Sequence, residues 1–130
     1  MKIAVFENEY QSVSGAFNAA NFLNFEDTLN IQVFPSSQTA ILTEVVKFDV
    51  IFIDIDLSSK SELDGYSLIQ QLQKLNENIN KKIVILTGNN KIIESLNLRK
   101  IKSTNISIII KPTDYEEITK NITNIMKASA

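Results

Sequence analysis

The sequence contains no histidine, no cysteine and no tryptophan. Each of the first two absences removes chemistry. Without cysteine there is no disulfide framework, no thiolate-bound metal and no thiol nucleophile. Without histidine there is no Ser-His-Asp triad and no imidazole ligand. Any chemistry must therefore use carboxylates, lysine, hydroxyls or tyrosine, and any metal must be a hard, oxygen-bound ion such as Mg²⁺. Glycine and proline are also scarce, three and two in 130 residues. Neither sign of charge dominates, with 13 basic against 15 acidic residues and a net charge of −2. Such a balance lacks the basic stripe of a nucleic-acid binder. Long apolar runs are missing too. Val50 to Ile53 and Ile106 to Ile110 fall far below the ~18 residues of a membrane span. Glu7 and Glu9 stand where a signal peptide would need its apolar stretch. The expectation is a cytoplasmic protein with no nucleic-acid or membrane partner.

What is present is a globular mix, 44% hydrophobic and 22% charged, of a length suited to one domain, 1–130. Apolar runs alternate with amphipathic stretches. Ile3 to Phe6 reads as a buried strand feeding the loop Glu7-Asn8-Glu9. Tyr10 to Phe25 places Val13, Phe17, Ala20 and Asn24 at helical spacing, with Ala16, Phe22 and Leu23 on the same side. Leu29, Ile31 and Val33 alternate as in a half-buried strand. Ser36 or Ser37 is placed to cap a helix running to about Lys47. Asp49 to Asp54 crowds β-branched and aromatic residues and is the strongest strand. Leu57 to Gly65 is loop-like, and Tyr66 to Leu75 is an amphipathic helix. Lys82 to Thr87 forms a fourth strand, Ile92 to Leu98 a helix, and Ile106 to Ile110 a fifth strand with Ile108, Ile109 and Ile110 in the core. Thr113-Asp114-Tyr115-Glu116 has the form of a capping box before a last helix.

The order is therefore (βα)₅. Near-continuous apolar strands between helices predict a parallel sheet covered on both faces, a three-layer doubly wound α/β sandwich. In such folds sites gather at the carboxyl ends of the strands. Those ends carry Glu7, Asn8 and Glu9 after strand one, Asp54 and Asp56 at strand three, Thr87-Gly88 at strand four and Lys111-Pro112 at strand five. Carboxylates converging there repel one another unless a cation sits between them. A cation would also neutralise an incoming phosphoryl group facing a carboxylate nucleophile. Lys111 is placed to pair with Asp54 or with a phosphoryl group on it. Thr87 is placed to donate a hydrogen bond to that group, and Gly88 leaves room for it.

At these residues the chain resembles the receiver domain of two-component response regulators. Glu7-Asn8-Glu9 is similar to the family's acidic pocket, and Asp49 to Asp54 to the strand delivering its phospho-acceptor aspartate. Asp64-Gly65 resembles the loop before helix three. Thr87 stands at the switch hydroxyl, and Lys111-Pro112 resembles the family's lysine and cis-linked proline. The resemblance implies a flavodoxin-like sheet of order 2-1-3-4-5. It also implies phosphorylation of Asp54, and Mg²⁺ held by Glu7, Asn8, Asp54 and the backbone carbonyl of Asp56. Three departures stand out. Asn8 replaces a carboxylate, Asp54 to Gly65 is about three residues longer than usual, and Ile108 occupies the place of an aromatic switch residue.

Three functions follow as expectations. The first is a phospho-receiver. It takes its phosphoryl group from a histidine kinase or phosphotransfer protein and signals to a downstream effector protein. A chain without histidine must find the donor histidine in another protein. The second, motivated by Asn8 and Ile108, is a pseudo-receiver that binds partners without phosphorylation. The third is a small phosphatase resembling the haloacid-dehalogenase type, from Asp54-Ile55-Asp56 with Thr87 and Lys111. An FMN carrier of the same fold is excluded, because Glu7-Asn8-Glu9 would repel its phosphate.

Overall fold

The apolar runs become strands where their residues are β-branched and continuous. The computed structural model describes residues 1–129. It contains β1 (Lys2–Phe6), β2 (Asn30–Phe34), β3 (Val50–Asp54), β4 (Ile83–Thr87) and β5 (Ser107–Ile110). The helices are α1 (Gln11–Asn24), α2 (Leu42–Val45), α3 (Gly65–Leu75), α4 (Ile92–Leu98) and α5 (Tyr115–Ser129). All strand pairs are parallel, in the order β2-β1-β3-β4-β5. This is the doubly wound sheet expected. Among the described residues no helix is long and apolar enough to cross a membrane.

Side-chain alternation along the strands splits the interior into two cores. Ala4, Phe6, Ile51, Ile53, Ile83 and Ile85 face the layer of α2, α3 and α4. Ile3, Val5, Val50, Phe52, Val84, Leu86 and Ile109 face α1 and α5. Every residue of β3 and β4 is buried. Each such isoleucine contributes ~1.5–3 kcal/mol by leaving water. On the α1 side, Phe17 meets Phe52 edge-on at 4.9 Å between ring centroids. The central strands are thus fixed from both faces, and their ends present side chains at set positions.

The structure differs from expectation where the sheet runs out. Ile108 is half-buried and Ile110 is 43% exposed, leaving only Ile109 fully in the core. The cause is that β5 is an edge strand. On the other edge, β2 buries Leu29 just before it but leaves Val33 exposed. Phe22 (68% exposed) and Leu23 lie outside the α1 stripe, because Val13, Phe17 and Ala20 already fill the seam. The helix expected from Ser36 or Ser37 to Lys47 is a 3-10 turn, Ser37–Thr39, followed by one α-turn. Ala40 and Ile41 are extended between the two, and neither serine caps through its side chain. The stretch is rich in β-branched residues, which weakens a long helix. The capping box is also displaced by one residue. Asp114, not Thr113, receives the backbone N–H of Glu117 at 3.0 Å.

Candidate functional site

Register and alternation together choose which side chains meet. Phe6 pairs with Ile53, so one step on Glu7 stands beside Asp54. Asp54 pairs with Leu86 and Thr87 with Ile110, which places Lys111 at the same rim. Glu7 lies two residues beyond Val5, Asp54 two beyond Phe52, and Lys111 two beyond Ile109. All three therefore continue the face that packs on α1 and α5.

They do converge. Lys111 Nζ donates to Glu7 Oε2 at 2.8 Å and lies 3.4 Å from Asp54 Oδ2. Glu7 is 2% exposed and Asp54 4%. Two nearly buried carboxylates share one ammonium. Burial pushes the Glu7 carboxyl above its ordinary value, the Lys111 hydrogen bond opposes this, and the charge of Asp54 adds to it. Burial alone would lower Lys111, but its hydrogen bond to Glu7 and the charges of Asp54 and Glu7 outweigh it and raise its titration. The remaining oxygens are held by the backbone. Asp54 Oδ1 accepts from the N–H of Asp56 at 2.9 Å, and Glu7 Oε1 from that of Glu9 at 3.3 Å.

The other expected site residues stand outside this cluster. Thr87 is fully buried at the end of β4, and its Oγ1 accepts from the N–H of Asn89 at 3.0 Å. Its carbonyl accepts from Lys111 N at 2.7 Å, which locks the ends of β4 and β5 together. Asn8, Glu9 and Asp56 are exposed on the mouth of the rim. The Lys111–Pro112 bond is cis.

Sequence reasoning missed two features. It paired Lys111 with Asp54, whereas Glu7 is the nearer partner. The two-residue offset from Val5 and from Ile109 carried that signal. It also missed how the long loop after β3 is held. Ser37 Oγ accepts from Leu63 N and Ser37 N donates to Ser61 Oγ, both at 2.9 Å. The Gln38 amide donates to Lys60 O at 2.7 Å and accepts from Glu62 N at 2.8 Å. The loop closes where Gly65 N donates to Ile55 O. A β-carbon at Gly65 would stand 2.5 Å from Ile55 Cα and 2.7 Å from Asp54 O.

The groups expected to hold an ion, namely Asp54, the Asn8 amide, the Asp56 carbonyl and Glu7, offer only oxygen, the donor a hard cation prefers. Among the described residues no three acidic side chains gather closely enough to hold an ion alone. With Lys111 on both Glu7 and Asp54, these oxygens would suit Mg²⁺ only with neutral ligands and water completing its shell.

Comparison with known proteins places this geometry. The sequence profile of the response regulator receiver domain matches residues 12–123. No curated protein matches by sequence. Among solved structures, a response regulator receiver domain protein from Clostridium thermocellum superposes with a TM-score of 0.72 at 21% identity, covering 98% of this chain and 95% of that one. The receiver domain of NtrX from Brucella abortus gives 0.70 at 16%, covering 96% and 98%. The receiver domain of the sensor histidine kinase PA1611 from Pseudomonas aeruginosa gives 0.70 at 16%, covering 97% of each, and its structure has a magnesium ion coordinated in the active-site cleft. These likenesses speak for the fold. Nothing among them points to a phosphatase, the third reading of the sequence. With the profile spanning most of its length, the chain belongs to the response regulator receiver domain family of two-component signalling.

Proposed function

We propose that this receiver domain accepts a phosphoryl group on Asp54 from the phosphohistidine of a partner kinase or phosphotransfer protein. One observation carries the reading: Lys111 bridges Asp54 and Glu7 at a buried strand end. A carboxylate oxygen of Asp54 attacks phosphorus, the N–P bond breaks, and the donor imidazole leaves with its electron pair and takes up a proton. Lys111 stands ready to follow the charge from carboxylate to acyl phosphate. Asp56 N–H holds one Asp54 oxygen and so fixes the carboxylate plane. Mg²⁺, held by Asp54, Asn8, Glu7 and the Asp56 carbonyl, would supply charge neutralisation for the incoming group. The adduct adds ~1.5–2 negative charges. Thr87 would exchange its bond to Asn89 for one to the phosphoryl group, altering the face of α4, β5 and α5. Ile93 and Ile110 are exposed there and would meet a downstream effector protein.

Incubation with Mg²⁺ and a small acyl phosphate should add one phosphoryl mass. Asp54→Asn should abolish the adduct. An adduct that survives this substitution, or none in the parent protein, overturns the reading. A pseudo-receiver is the second reading, favoured by the uncharged and exposed Asn8. It requires no Mg²⁺ binding at millimolar levels and partner binding indifferent to Asp54→Asn.

A further inference from the structure

Charge is unevenly distributed along this chain. Between Gly65 and Lys111 lie eight of the 13 basic residues and only two of the 15 acidic ones, Glu77 and Glu94. One wall of this basic half is α3, and the facing wall is the connection from α4 to β5. Between them lies a groove of about 540 Å³ whose lining includes Leu63 and Asn80. Lys74 stands on one wall, Lys100 and Lys102 on the other. None of the three has an ion-pair partner among the described residues. Glu77 is the single acidic residue of the lining.

The groove is built rather than incidental. Lys102 O accepts from Gln73 Nε2 at 2.8 Å and from Asn80 Nδ2 at 3.0 Å. Asn80 Nδ2 also reaches Thr104 O at 3.0 Å, and Gln73 Nε2 reaches Asn80 Oδ1 at 2.8 Å. These amides fix the far wall to α3 and to the turn after it. Lys100 has φ of 58°, so the backbone turns sharply there. Gln70 and Gln71 also line the groove and make no side-chain hydrogen bond among the described residues. Their amides remain free to pair with a peptide backbone.

We propose that this groove docks an acidic segment of a partner protein. Carboxylates of that segment would meet Lys74 on one side and Lys100 and Lys102 on the other, with Gln70 and Gln71 bonding its main chain. Unpaired cations on a hydrogen-bonded backbone frame are favourable for such a contact, since no internal ion pair must break first. A nucleic acid fits worse. No aromatic residue lines the groove to stack a base. The rest of the chain, with 13 acidic against five basic residues, repels a long polyanion. The surface is distinct from the α4-β5-α5 face and does not depend on phosphorylation of Asp54.

The test is a fluorescence-anisotropy titration of the full chain with a labelled peptide of alternating Glu and Ala. Binding is expected at low salt and should weaken steeply as salt is raised. The variant Lys74→Gln/Lys100→Gly/Lys102→Gln should lose at least tenfold in affinity, glycine being chosen to suit the positive φ. The control Lys120→Gln/Lys127→Gln, on α5, should bind as the parent does. Absence of binding, or equal loss in both variants, overturns the proposal. Tighter binding of a single-stranded oligonucleotide of equal charge overturns the partner class. NMR titration of the unaltered protein gives an independent readout. Amide shifts should concentrate in residues 63–80 and 99–104, and shifts centred elsewhere refute the site.

Discussion

Glu7 and Asn8 are neighbours in sequence but occupy opposite environments. Glu7 continues the inward face of β1, is almost fully buried, and donates its charge to a shared ion pair with Lys111. Asn8, the next residue, is exposed to water and has no charge to share. The rim therefore has an inner half, closed by the protein's own cation, and an outer half open to solvent. The inner half is a matter of folding, because two buried carboxylates need a counter-charge whether or not a ligand is bound. The outer half, on the function proposed above, is a matter of binding, where a neutral Asn8 in place of a carboxylate should lower Mg²⁺ affinity.

Removing the cation breaks the comparison most directly. Lys111→Ala leaves Glu7 and Asp54 facing each other with no positive charge between them. Breaking a buried pair costs ~3–5 kcal/mol, and because Lys111 is partly exposed we expect about 3 kcal/mol. Urea unfolding measures it, and a loss below about 0.5 kcal/mol, within the range of ordinary surface substitutions, would show that the inner half does not need its cation. Asp54→Asn in the same background should recover part of the loss by removing the repulsion.

Gly65→Ala comes next. The added carbon would collide with Ile55 Cα and Asp54 O, which are backbone atoms and cannot swing aside. Overpacking of this kind costs ~1–3 kcal/mol. The damage should also reach the proposed acceptor, since the same peptide segment carries Asp54 and the Asp56 N–H. A stable variant with unchanged phosphoryl uptake would show that the loop closure and the acceptor are independent.

Asn8→Asp sharpens the outer half. A second carboxylate at the mouth should tighten Mg²⁺ binding about tenfold, or ~1.4 kcal/mol, with little change in unfolding. Calorimetric titration decides it. Equal affinity in the two proteins would place Asn8 outside the ion's coordination.

How far the sequence revealed this site follows from the same division. The central strands were legible because both faces are buried. Val50 to Asp54 and Ile83 to Thr87 therefore read as unbroken apolar runs ending in polar residues. Their ends named Asp54 and Thr87, and the ends of β1 and β5 added Glu7 and Lys111. The edges were less legible, since half of each edge strand faces water and Ile110 gives no hint of exposure by its chemistry. The clamp from Ser37 and Gln38 was invisible, because it joins two irregular segments 22 to 26 residues apart. Serine and glutamine at such positions suit a cap or a solvated surface equally well. The pairing of Glu7 with Lys111 lay between these cases. It spans 104 residues, yet it follows from alternation once the strand order is known.

The smallest expected effect is a change of slope with pH, and it tests whether Glu7 is held ionised against its own burial. Its titration is raised above 4.5 in the folded protein, by burial first and by Asp54 second, with Lys111 opposing. A raised carboxyl means that the folded state binds this proton more tightly than the unfolded chain. Stability from this group is therefore greatest in acid and declines as pH rises from 4.5 through the raised value. Lys111 acts in a different window. Its contribution is complete below 10.5 and is lost only as pH climbs through its own raised value. Below neutrality the difference between parent and Glu7→Gln thus reports on Glu7 and not on Lys111. Thermal melts of parent and Glu7→Gln between about pH 4 and pH 8 should diverge, the variant gaining relative stability as pH rises. Parallel curves would mean that Lys111 compensates the buried carboxylate in full.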